Sequence, residues 1–154
     1  MGFERIKRAW QFFIGREEEL KKAVEQFFFL YYPTSRKAGD KTIERSNAQD
    51  REDYIKQFGK ECFEDVLEDC PHLAYLKDPD IPFCFRFIFS CFLEIYNFSG
   101  EQMTWTDIHS YAIMRHIEFR QIELDFILKC CNWANAKKQE MRDEDNPKPS
   151  TEDS

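Results

Sequence analysis

The chain has 154 residues, with 29 acidic side chains against 22 basic for a net charge of −7, and sixteen Phe, six Tyr and three Trp against only five Gly. This length allows one domain with a substantial core, and the acidic balance argues against general nucleic-acid binding, which needs a clustered basic surface. The longest apolar run, Ile81 to Tyr96, falls short of the ~20 residues of a membrane span and holds Arg86 and Glu94, and MGFERIKRAWQFF has neither an apolar signal core nor a myristoylation pattern, so a soluble cytoplasmic protein is expected.

From the N-terminus, Phe3, Ile6, Ala9, Trp10, Phe13 and Ile14 follow the helical period until Gly15 ends or kinks the element. The spacing predicts a second helix from Arg16 to Tyr32, with Leu20, Val24, Phe27, Phe28 and Tyr31 inward and Pro33 as its stop. The pairs Glu17-Lys21 and Glu18-Lys22 mark its solvated side. Its last turns, Phe27 to Tyr32, are apolar all round, which requires either burial or a covering molecule. Thr34 to Ala48 is polar, lacks a period and reads as a mildly basic loop carrying Arg36, Lys37, Lys41 and Arg45.

Asp50 to Asp69 reads as one helix weakened at Gly59, with Tyr54, Ile55, Phe58, Cys62, Val66 and Leu67 inward. Its outer face gathers Asp53, Glu61, Glu64, Asp65 and Glu68, and residues 47–80 together carry ten acidic against four basic side chains. Such a face is either solvated surface or a contact for a basic partner. Pro71, Pro79 and Pro82 then punctuate a turn-rich stretch that includes His72.

Pro82 to Asn97 is nearly all apolar and is expected to be the most buried helix, ended by Ser99-Gly100. A strand is the alternative for its start, where Phe83, Phe85, Phe87 and Phe89 alternate, but the length of the run and its helical neighbours favour helix. Thr104 with Asp107 three positions on reads as a capping pair opening a helix with Ile108, Tyr111, Ala112 and Arg115 on one face. Ile117 breaks the period, which places His116 at the helix C-terminus. A last helix carries Ile122, Phe126, Ile127, Cys130 and Trp133. The expected fold is therefore all-α, a single compact bundle of about five to six helices over residues 1–141, with 142–154 as a disordered acidic tail.

The six Cys form no C-x-x-C pair and no His pair follows them at zinc-ligand distance, so free thiols and no metal or cofactor are expected. His72, His109 and His116 have no nucleophile or paired carboxylate at a specific spacing, and no catalytic residue is expected.

Trp105, Ile108, Tyr111, Ile117, Glu123 and Ile127, closing on Trp133-Ala134-Asn135, together resemble the C-terminal segment of small tailed-bacteriophage proteins, many of them tail assembly chaperones. The resemblance covers about residues 81–136. It implies a helical, non-enzymatic protein of the host-cell cytoplasm that holds tail components, such as the tape measure, until they polymerise. Trp105 and Tyr111 are then the candidate partner-binding aromatics, either as core struts or as contact anchors. The alternative is a small acidic phage inhibitor or adaptor that turns Asp53, Glu61, Glu64, Asp65 and Glu68 against a basic groove of a host defence protein. Both readings expect a protein partner and neither nucleic acid nor membrane.

Overall fold

The computed structural model describes Gln11, residues 15–70, Leu73 and residues 76–145. The helix expected before Gly15 and His72 therefore lie outside the described residues, apart from Gln11, which is helical and accepts the Gly15 N–H. Six α-helices and one two-stranded hairpin follow in order: α1 Glu17–Tyr31, β1 Thr34–Ala38, β2 Lys41–Arg45, α2 Asn47–Phe58, α3 Lys60–Asp69, α4 Arg86–Ser99, α5 Trp105–Arg115 and α6 Gln121–Asp145. The expected all-α class holds. The chain divides into two compact units, Met1–Val24 with Asp80–Asn135 and Glu25–Pro79 with Ala136–Ser154.

In the first unit the Phe-rich run is helical. A 3-10 turn, Phe83–Phe85, leads into α4, which buries Ile88, Phe89, Cys91, Phe92, Ile95 and Tyr96. Phe85 meets Phe126 of α6 with ring centroids 5.1 Å apart, and Phe92 meets Tyr96 at 5.3 Å. α4 is nonetheless less buried than expected, because Phe83, Phe87 and Phe98 are exposed. An alternating run wound into a helix cannot turn every ring to the same side. Gly100, at φ +70°, ends α4 as expected.

Thr104 caps α5 as the sequence predicts. Its hydroxyl accepts from the Asp107 N–H while the Asp107 carboxylate accepts from the Thr104 N–H at 2.8 Å, so the shorter Asp completes the capping box. At the other end His116 adopts the left-handed conformation, φ 55° and ψ 45°. Its N–H reaches Ile113 O, and the Ile117 N–H reaches Ala112 O at 2.9 Å, a Schellman ending made without glycine. α6 then starts with the Glu123 carboxylate accepting from the Arg120 N–H at 2.9 Å. It runs through Asp145, four residues past the expected boundary of the tail; residues 146–154 lie outside the described residues.

The second unit corrects two expectations. Residues 34–45 form an antiparallel hairpin rather than a loop, with Thr34 opposite Arg45 and Ala38 opposite Lys41. Gly39 takes φ +66° and Asp40 does not share a positive φ, the pattern of a type II′ turn whose twist suits a hairpin. The helix expected from Asp50 to Asp69 is two helices. Ser46 and Gln49 form a capping box that starts α2 at Asn47, and Gly59, at φ +83° and ψ 153°, separates it from α3. That break resets the helical phase. Phe63 becomes the buried residue of α3, packed with Leu30, Leu76, Tyr54, Ile55 and Leu67, while Phe58 and Cys62, both expected inward, are exposed.

The all-apolar end of α1 is covered from within its own unit. Phe28 and Leu30 are buried, and the cations of α6 lie over the remaining rings: Lys137 over Phe29 at 5.4 Å, Lys138 over Tyr32 at 5.1 Å and Arg142 over Tyr32 at 5.6 Å.

Candidate functional site

α5 and the connection after it enclose an open apolar groove of about 940 Å³. Trp105, Ile108, Ala112 and Ile113 supply one side, Ile117, Phe119 and Leu124 the other, and His109, His116 and Glu118 the polar positions. Local sequence explains the shape. The capping box directs Trp105 out of the first turn, and the Schellman ending reverses the chain so that Ile117 and Phe119 come back toward α5.

Trp105 and Tyr111, paired as candidates by the sequence, take different parts. Trp105 is 49% exposed and lines the groove, the position of an anchor. Tyr111 is 4% exposed and is a strut. Its ring stacks between Phe98 and Phe119, each 6.4 Å away, and Phe119 in turn meets Phe87 at 6.4 Å. One aromatic row thus runs from α4 through Tyr111 into the groove wall. The Tyr111 hydroxyl donates to Glu94 Oε2 at 2.6 Å, and Arg115 pairs with the same carboxylate at 3.1 Å while lying 6.0 Å from the Tyr111 ring centroid. Burial pushes the Tyr111 hydroxyl well up from its ordinary value, and the bond to Glu94 adds to the shift. Burial likewise raises the nearby Cys91 thiol. Both groups are therefore neutral donors at pH 7, suited to holding α4 against α5 rather than to acid–base work.

The five acidic candidates lie in the second unit and divide further. Glu61, Glu64, Asp65 and Glu68 are exposed on α3 and form no ion pair among the described residues. Asp53 instead pairs with Arg45, which also holds Asp50 through Nε at 2.6 Å, and Arg36 takes the other Asp50 oxygen. Burial raises the Asp50 carboxyl, but hydrogen bonds from Arg45 and Arg36 outweigh it and hold the group below its usual range. Arg36 further donates to Asn47 Oδ1 at 2.7 Å, and Asn47 Nδ2 to Phe29 O at 2.8 Å, which ties the hairpin to α1 and α2. The hairpin arginines thus neutralise the start of the acidic segment. The Gly39-Asp40 turn signal between two five-residue runs is what marked this hairpin in the sequence.

Among the described residues no three His, Cys, Asp or Glu side chains gather as metal ligands would. Of the six thiols, Cys91, Cys130 and Cys131 are buried and Cys62 is exposed. No helix among the described residues is long and apolar enough to cross a membrane. Comparison with protein-family models, curated proteins and solved structures finds no match to this chain.

Proposed function

We propose that the chain is a non-enzymatic protein-binding protein that holds an apolar segment of another protein in the groove of α5. The resemblance around Trp105, Tyr111 and Trp133 makes a phage tail component, held in the host cytoplasm before polymerisation, the preferred partner. The observation that carries this reading is the groove itself: Trp105 and Ile113 stand half exposed or more against a wall that Tyr111 fixes through Phe119. Trp is a typical anchor because it buries a large area for little lost rotamer freedom. A groove flanked by two turns of exposed helix also suits the i, i+4, i+7 anchors of a partner helix.

The test is capture from infected cells, with mass-spectrometric identification of the partner, by the native chain and by Trp105→Ala. Recovery is expected to fall at least about tenfold, the equivalent of one anchor residue, while the melting temperature stays nearly unchanged. Undiminished recovery overturns the assignment of Trp105. The acidic-inhibitor reading keeps one supporting observation, the four carboxylates of α3 that carry no ion pair. Salt separates the two. A complex held by that face weakens sharply between about 0.05 and 0.5 M salt, and apolar capture does not.

A further inference from the structure

The first unit exposes more apolar surface than its groove accounts for. Phe83, Phe87, Phe98, Trp105, Ile113 and Met114 are exposed, from 49% for Trp105 to 82% for Phe83. They form a continuous surface. Phe83 and Phe87 stand one turn apart at the start of α4, Phe87 meets Phe119 of the groove wall, and Phe98 stacks on Tyr111 beneath the groove. At that exposure, six side chains of this size leave roughly 700 Å² of apolar area. A soluble monomer's largest patch is about 300–600 Å², and one partner of a standard interface buries about 800 Å².

Charge points to the occupant. From Phe83 to Arg120 the chain carries three arginines against four carboxylates, interspersed along it. The whole first unit has ten basic and eleven acidic side chains, whereas the second has twelve and eighteen. A two-fold interface sets the same patch against itself, so a face of one sign repels its copy and a balanced face pairs its own opposite charges. We infer that a second copy of this chain covers the α4–α5 face in a two-fold dimer, so that self-association and capture of a partner compete for the groove. Phe83 packs at the dimer contact outside the groove, with Arg86 5.5 Å from its ring centroid, and Ile113 packs within the groove.

The inference rests on reading the groove as a protein-binding surface, but its test needs no partner. Sedimentation equilibrium of the native chain at ~200 µM is expected to give twice the 18.6 kDa of one chain. Phe83→Glu and Ile113→Glu, each replacing an exposed side chain, are expected to weaken the dimer at least about tenfold while preserving the helical circular dichroism. Phe83→Glu, outside the groove, keeps partner capture, whereas Ile113→Glu loses it. A native chain that stays monomeric at that concentration overturns the dimer and leaves the capture reading standing. A dimer whose dissociation constant neither substitution changes places the interface elsewhere and also overturns it. Loss of capture by Trp105→Ala in a chain that never dimerises separates the two claims.

Discussion

The two units handle charge and aromatic surface in opposite ways. The first is nearly neutral, spends its polar side chains on caps and on the Tyr111–Glu94–Arg115 group, and leaves Phe83, Phe87 and Trp105 exposed. The second carries most of the net charge and covers its exposed-looking rings with cations, Lys138 and Arg142 over Tyr32 among them. It also ties its hairpin down with arginine–carboxylate pairs. Apolar rings that a fold means to keep are sheathed, so rings left bare beside a shaped groove are the better candidates for contact. The net charge of −7 therefore misleads as an average, because it belongs almost entirely to a part of the molecule other than the groove.

The largest effect that can break this contrast comes from Tyr111. Tyr111→Ala removes a buried ring stacked between Phe98 and Phe119 and is expected to cost about 3–5 kcal/mol in a thermal or denaturant melt. Tyr111→Phe keeps the stack and loses only the bond to Glu94, for about 1–2 kcal/mol. If the two substitutions cost the same, polar bonding rather than aromatic packing holds α5, and the description of the first unit fails.

A smaller loss probes the second unit. Asp50→Asn breaks the bridge between Arg36 and Arg45 at a carboxylate only partly exposed, and is expected to cost about 1–2 kcal/mol at pH 7, between the values for surface and buried pairs. The folded-state value of Asp50 is depressed, so its contribution is fully present above the ordinary carboxylate value of about 4 and is lost as pH falls through the lower native value. Denaturant melts of the native and Asp50→Asn chains should therefore differ at pH 7 and converge below about pH 3. A gap that persists in acid shows that the bridge does not hold the hairpin.

What the sequence disclosed follows the same division. The caps at Thr104 and Ser99-Gly100, the turn at His116 and Ile117 and the helical state of the Phe-rich run all follow from local chemistry, and the structure bears them out. Trp105 was legible as a candidate, but its exposure depends on its place at the first turn of α5, where composition favours burial. The hairpin was passed over because residues 34–45 are polar on both faces; its stability comes from Asp50 and Asn47, distant in sequence. The α2–α3 break hinged on a single positive φ at Gly59, which a helical stripe running across it concealed. The groove depends on the return of Ile117 and Phe119, a tertiary consequence of a helix ending made without glycine.

That ending carries the smallest predicted effect and the one that bears most directly on the groove. His116 holds φ 55° and ψ 45°, a conformation that costs a residue with a Cβ about 1–2 kcal/mol. Glycine removes that cost but gives back about 0.5–1 kcal/mol through the greater freedom of its unfolded chain. His116→Gly is therefore expected to stabilise the protein by about 0.5 kcal/mol, a rise of one or two degrees in melting temperature at this chain length. His116→Val, β-branched in a conformation such residues avoid, should lower it instead. Hydrogen exchange at the Ile117 amide, bonded to Ala112 O, reports the turn directly: protection should rise in the Gly variant and fall in the Val variant. If His116→Gly destabilises the chain, the imidazole makes an interaction at the groove worth more than the backbone strain it bears. The turn is then held by that side chain, and the groove wall is not fixed by the helix ending alone.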